Sequence, residues 1–335
     1  MATISRRILL RNSVLAAGGI AASGFLAACS SDDESDAPSA ANGKWTLQSA
    51  WVNDAEFMGY FVAVQNGYYK EEGLDFTYVP GGASVIPETV LQGGRANIAL
   101  STPDNTANAI LKQGAPFVIV GTQYQKSPLG VVSLTESGIS SPADLVGKKF
   151  AVPDGNRLTV DKMFQLNDID PGDVNIVPYA YDPTGLIAGD VDATLDFTTN
   201  VPYTVEQAGA KASSFLLYDF GMKLPNDVVI VSKDTLEKDR DSVVSWLRAS
   251  RRGWEENFKD PAQYPPTFED SWFKGTGRTV DNEIFFNTAQ QALIEAPDGI
   301  FSMTDETVAN TIATLNSVDI AATEDMFDTS LLAEI

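Results

Sequence analysis

From Trp45 onward, short apolar runs of strand character alternate with segments of helical pattern. This alternation constrains the fold more than any other feature of the chain. Strands are expected at 47–52, 75–79, 97–100 and 117–123, with helices at 56–66, 85–92 and 104–113 between them. Phe57, Phe61, Val62 and Val64 are the candidate apolar contacts of the first helix. Pro87 falls in the first turn of the second, where a missing N–H costs nothing. Asp104 stands as the N-cap of the third. This β-α-β-α order predicts a parallel sheet with helices on both faces.

A second unit of the same kind starts near Val131, with strands at 131–134, 149–152, 174–179, 192–196 and 214–217 and helices at 141–145, 159–167 and 201–208. A strand at 227–232 leads back to the first unit. The tail from Lys238 to about Ile320 is mainly helical, most clearly at 241–257 and 281–296. The chain therefore crosses between two lobes twice, near 124–131 and 218–229. The expected class is α/β, with two lobes, a hinged ligand cleft and a helical C-terminal segment. Lobe I is 45–130 plus 228–335, and lobe II is 131–227.

Composition removes several functions. The 45 acidic and 23 basic residues leave a formal charge of −22. Such a field repels phosphate backbones, so no nucleic-acid partner is expected. There is no histidine and one cysteine. That excludes a disulfide within one chain, a Cys/His zinc site and any histidine base. No catalytic residue, metal or cofactor is expected, and the chain is read as a non-enzyme. A phosphate-binding P-loop is missing, because Pro142 stands where its first glycine belongs. The acidic run Asp168–Asp173 lacks the glycine and the glutamate of a calcium loop and reads as a surface turn. No dinucleotide-binding glycine fingerprint follows the first strand.

The N-terminus carries Arg6-Arg7 and Arg11, then a weakly apolar run of 15 residues from Val14 to Ala28. A membrane span needs about 20 apolar residues, so 1–28 reads as a signal peptide. The paired arginines fit a twin-arginine export signal; an ordinary Sec signal with a basic start is the alternative. Leu26-Ala27-Ala28-Cys29 resembles a bacterial lipobox, which makes Cys29 the lipidated residue of the mature chain. The polar, acidic stretch that follows completes a disordered tether over 29–44. The expected location is the outer face of the cell membrane, or the periplasmic side, held by lipid.

The run Trp51-Val-Asn53-Asp54-Ala-Glu56-Phe57-Met-Gly59-Tyr60 is followed by Gly67-Tyr-Tyr-Lys-Glu-Glu-Gly-Leu-Asp75, Pro80-Gly81-Gly82 and Gly93-Gly-Arg-Ala-Asn-Ile-Ala99. With Asp144-Leu-Val-Gly147-Lys-Lys-Phe-Ala-Val152, this resembles the solute-binding proteins of ABC importers in the thiamine-pyrimidine synthase-like family. The resemblance covers roughly 45–260. It implies a two-lobe periplasmic-binding-protein fold of type II that closes on a small solute and delivers it to permease and ATPase subunits. Relatives bind riboflavin, thiamine pyrimidine precursors, sulfonates, taurine or nitrate. Pyrimidine-binding relatives carry Trp-x-Pro-Asn-x-x-His-x-Gly in the first loop. Here Asn53 replaces the proline, Asp54 the asparagine and Phe57 the histidine. The departure shifts the expected solute towards a riboflavin-like ring, with a thiamine pyrimidine precursor next and a sulfonate- or nitrate-like anion as a further alternative. The synthase enzymes themselves rely on a histidine and a Cys-rich iron motif, which this chain lacks.

Loops at the carboxyl ends of strands line the crevice of open α/β sheets. Ligand-binding candidates on lobe I are therefore Trp51, Asn53, Asp54, Glu56, Phe57, Gly81, Gly82, Ser101, Thr102, Asp104 and Tyr124. On lobe II they are Asp154, Asn156, Tyr181, Asp196 and Asn200. Phe57 or Trp51 would stack on a ring, or Phe57 packs in the core. Carboxylates at 54 and 56 would accept ring N–H, amine or hydroxyl donors, or cap the helix. Gly81-Gly82 would present backbone N–H groups, or form a simple turn. Asp104 is equally a cap or a contact.

Overall fold

A computed structural model describes residues 44–335, apart from Ala83. The expected signal peptide, Cys29 and all but the last residue of the expected tether lie outside the described residues. Among the described residues, no helix is long and apolar enough to cross a membrane.

Ten strands form two five-stranded sheets. The chain lays down β1 (Lys44–Gln48), β2 (Asp75–Val79), β3 (Ile98–Ser101) and β4 (Phe117–Tyr124). It then crosses to β5 (Leu129–Leu134), β6 (Lys149–Val152), β7 (Asn175–Pro178), β8 (Ala193–Phe197) and β9 (Ala212–Leu216). It returns as β10 (Asn226–Ser232). The strand orders are β2-β1-β3-β10-β4 and β7-β6-β8-β5-β9. Four residues, 125–128, make the first crossing, and 217–225, opened by a 3-10 turn over Leu217–Phe220, make the second.

The all-parallel expectation is corrected. β1, β2 and β3 are parallel, but β10 runs antiparallel between β3 and β4. The chain leaves the first sheet at the carboxyl end of β4 and comes back from the same side, so the returning strand must run the other way. β5 is antiparallel to β8 and β9 for the corresponding reason at the second sheet.

Helices do cover both faces of the first sheet. Val229 and Val231 point into a core with Tyr60, Phe61, Trp246, Trp254 and Phe301. Val228 and Ile230 face the opposite core, with Leu91, Ala109 and Ile119. Period-2 alternation with both faces apolar is what a doubly covered central strand requires. The second sheet has its own core around Phe150, Met163, Phe164 and Leu195.

Local details differ from expectation. β1 ends at Gln48, so Trp51 and Val52 lie in the loop beyond it. The first helix begins as a 3-10 turn, Ala55–Phe57, and continues as Met58–Gln65 with Val64 at its exposed face. The segment after Ser141 is a single 3-10 turn closed by a capping box with Asp144. The third helix is capped by Thr102, whose Oγ1 accepts from Asn105 N at 3.5 Å, so Asp104 is the second helical residue and not the cap. Pro103 at the first position explains the shift, since proline is preorganised there.

Candidate functional site

The loops after β1 and β2 are tied to each other. Gly81 donates its N–H to Trp51 O at 2.7 Å and to Ser49 Oγ at 3.0 Å. A Cβ on Gly81 would collide with Ser49 O, so only glycine permits this approach. The expectation that Gly81 offers its N–H to a ligand is thus corrected: the group is committed to the β1 loop. Gly82 follows with φ 148° and lies beside Val52. The tie holds Trp51 at the cleft, where its ring meets Tyr181 of the second lobe at 5.7 Å between centroids. Tyr181 is half exposed, stands at φ 59° and also faces Tyr179 at 5.8 Å. A tyrosine in left-handed backbone is uncommon, and here it aims an aromatic ring across the lobes. Nearby in the chain, Asn53 has a buried Oδ1 with no partner among the described residues.

Asp54, Glu56 and Phe57 turn inward. Asp54 caps the 3-10 turn, accepting from Glu56 N at 3.0 Å, and its other oxygen lies 3.5 Å from Arg278. Phe57 is fully buried, 5.9 Å from Tyr78, so the stacking role expected for it is corrected to a core role. The whole 3-10 turn and the next six residues, 58–63, are buried on every side, and Phe57 belongs to that continuously buried segment. Tyr124 is likewise fully buried, donating to Gln290 Oε1 at 2.5 Å with its ring against Phe197, which corrects its expected place at the ligand.

A polar cluster forms where both crossings enter lobe I. Arg278 Nε donates to Glu283 Oε1 at 2.6 Å. Glu283 Oε2 accepts from Ala55 N, and Gln123 Nε2 donates to Glu56 O at 2.7 Å and to Asp227 Oδ2 at 3.1 Å. Asp227 is buried at φ 49° at the start of β10. Burial pushes the carboxyls of Asp54 and Asp227 up to about 7, and Glu56 well above the usual carboxylate range. For Asp54 the Arg278 charge partly opposes burial, and Glu283 adds to it. Closely packed acids with one guanidinium cannot all ionise, so protons are retained.

From lobe II, Asp196 is the penultimate residue of β8. It accepts from Tyr179 Oη at 2.8 Å and from Phe197 N at 2.7 Å, and burial raises its pKa. Asn200 Oδ1 accepts from Arg278 Nη2 at 3.3 Å and from Asn282 Nδ2 at 3.2 Å.

The structure therefore brings Trp51 to Tyr181, and Asp54 and Asn200 to Arg278. Glu56 joins Asp54 and Asp227, and Asp196 lies within electrostatic reach of Tyr181 and Arg278; Ser101, Thr102, Asp104, Asp154 and Asn156 are not gathered with them. Ser101 donates to the buried Glu88, Thr102 is a helix cap, and Asp104 lies on that helix. Asp154 and Asn156 belong to a 3-10 turn after β6, Asp154 in the open. Arg278, Glu283, Asp227, Gln123 and Tyr179 escaped the sequence reading. For Arg278 one local signal existed: Gly275-Thr-Gly277-Arg278-Thr279 precedes a helix that Thr279 caps. Among the described residues, no group of three or more acidic, histidine or cysteine side chains is placed to hold a metal ion.

Comparisons agree with this architecture. A formylaminopyrimidine-binding protein of Halalkalibacterium halodurans is 28% identical over 243 residues, 71% of this chain and 72% of that protein. Riboflavin-binding protein RibY of Chloroflexus aurantiacus is 22% identical over 221 residues, 64% of this chain and 63% of that one. Among solved structures, the periplasmic aliphatic sulphonate binding protein SsuA of Escherichia coli superposes with a TM-score of 0.62 at 14% identity, covering 83% of this chain and 92% of SsuA. The fold is thus the two-sheet fold of periplasmic binding proteins. The family model described as NMT1/THI5 like matches residues 54–264, and the chain belongs to that family.

Proposed function

We propose that the protein is the solute-binding receptor of an ABC importer and captures a small planar heterocycle, riboflavin-like or a thiamine pyrimidine precursor. The observation that carries this reading is the facing of Trp51 and Tyr181 from opposite lobes at 5.7 Å. The two rings touch at this distance, so a solute ring enters as they part by one ring's thickness and gains about 0.5–1.5 kcal/mol per aromatic pair beyond burial. It touches both lobes, so it binds the closed form better than the open one, and that difference drives closure. Asn53 Oδ1 and the Asp196 carboxyl supply acceptors for ring N–H or hydroxyl donors. An anionic solute fits less well, because Arg278 is already engaged by Glu283 and Asp54.

In this reading 45–130 plus 228–335 and 131–227 move as two lobes about the crossings. A signal peptide over 1–28 directs export, lipid on Cys29 anchors the mature chain, and 29–44 tethers it near permease and ATPase subunits. The chain acts by binding and not by catalysis: a synthase reading finds no histidine in the sequence.

The test is native mass spectrometry and thermal shift on the purified protein with riboflavin, an aminopyrimidine and an alkanesulfonate. A heterocycle should bind, and Trp51→Ala should weaken it at least about tenfold, the equivalent of roughly 1.4 kcal/mol. Binding of the alkanesulfonate alone, or an unaltered affinity in Trp51→Ala, would sink the reading.

A further inference from the structure

Asn200 occupies the N-cap position of the helix Val201–Gln207, yet its side chain makes no capping bond. Asparagine is among the best capping residues, and leaving the helix end unserved forfeits that stabilisation. Its side-chain oxygen is instead turned across the cleft, where two donors from lobe I meet it: Arg278 Nη2 and Asn282 Nδ2. Both donors are held in place by lobe I itself. Arg278 is fixed by Glu283 at 2.6 Å and by Asp54 at 3.5 Å, with Phe286 beneath its guanidinium. Asn282 donates to the same Glu283 oxygen at 2.9 Å. One turn along, Tyr203 of lobe II lies 5.5 Å from Phe285 of lobe I.

We propose that Asn200 is a positioning residue whose bonds to Arg278 and Asn282, flanked by the Tyr203–Phe285 contact, latch the two lobes together before any solute arrives. The proposal rests on the two-lobe receptor reading and adds to it where closure energy comes from. The donors are preorganised on lobe I, so forming the latch orders little beyond Asn200 itself, and the entropic cost of closure is small. A receptor in which a large fraction of molecules is already closed gives a tighter apparent affinity, because the observed dissociation constant scales inversely with the competent fraction. The latch lies on a different pair of elements from the Trp51–Tyr181 contact, so it needs no ring between those aromatics.

The test reads distance between spin labels, one on each exposed outer face of the lobes, in the ligand-free full chain, with the wild type, Asn200→Ala and Tyr203→Ala. The expected result is a short distance in the wild type and a shift to a longer, broader distribution in both variants. Affinity for riboflavin or the aminopyrimidine, whichever binds the wild type, should fall about three- to tenfold in Asn200→Ala, the loss of one or two hydrogen bonds of ordinary strength. If Asn200 only touches solute, the ligand-free distances of all three proteins coincide, and the proposal fails. A long distance in the ligand-free wild type also overturns it. Far-UV circular dichroism identifies a variant that has lost its fold; Tyr203→Ala then decides, since it loosens the same seam without touching Asn200 or Arg278. The distance measurement needs no ligand, so its outcome stands even if the proposed solute class fails to bind.

Discussion

Asp227 shows how a single residue is governed by its surroundings. It is buried at the start of β10 in left-handed backbone, beside Glu56 and Gln123. Burial holds its carboxyl at about 7, and Asp54 at the same level. In the unfolded chain both return to the ordinary range near 3.8. Between those values the folded state binds more protons than the unfolded state, so stability falls as pH rises through that window. The contribution is fully present below about pH 4 and is lost by the time pH passes about 7. Asp227→Asn keeps the shape and removes the titration. Compared with wild type, its urea midpoint should gain between pH 5 and pH 8; an equal difference at both pH values would refute the argument. At the same scale, the Asp54 and Phe57 substitutions in the family's first-loop motif have structural uses, a cap with an Arg278 partner and a core ring. Neither use could be told from ligand contact by the motif alone, because both serve equally well one residue from the cleft.

Between elements, the closest packing joins the helix Met58–Gln65 to Arg240–Asn257. A Cβ on Gly253 would collide with Gly59 O and lie 2.7 Å from Ala63 Cβ, and a Cβ on Gly59 would run into the Trp254 ring. The two glycines let backbones touch where any side chain would force them apart. Gly253→Ala should therefore destabilise the protein by about 1–3 kcal/mol, as overpacking does, read as a lower urea midpoint with unchanged slope. Wild-type stability in that variant would mean the helices separate without cost. Gly59 belongs to the run that carries the family resemblance, and this contact is a physical reason for a glycine there. The elements themselves were largely legible. Apolar alternation and Pro87, which does open its helix, place most strands and helices within a few residues. The cap at Thr102 rather than Asp104 was legible too: both residue types cap, and Pro103, preorganised for the first helical position, decides between them.

Across the whole molecule, β3, β10 and the edge strand β4 of the first sheet are deeply buried. Every residue of β4 is buried, as are six of the seven in β10, whereas β7 at the edge of the second sheet has no buried residue. Local opening follows burial and bonding, so amide hydrogen exchange should be slowest in β3 and β10, which are buried and paired on both sides, and fastest among the strands in β7. A solute bound between the lobes should further slow exchange in the loops after β1 and β8, leaving β4 unchanged. Slowing confined to one lobe would contradict closure about the two crossings.

The sequence by itself determined the α/β class, the two crossings and the element order, because these follow from local periodicity and turn chemistry, which act over a few residues. Tertiary structure alone decided that β10 runs antiparallel, that Phe57 and Tyr124 are core residues, and that Arg278 joins Asp54 to Asn200. Those outcomes depend on which distant surfaces bury one another. Asp54 and Arg278 stand more than two hundred positions apart. Periodicity assigns a side chain to a face, and only the packed fold says what that face meets.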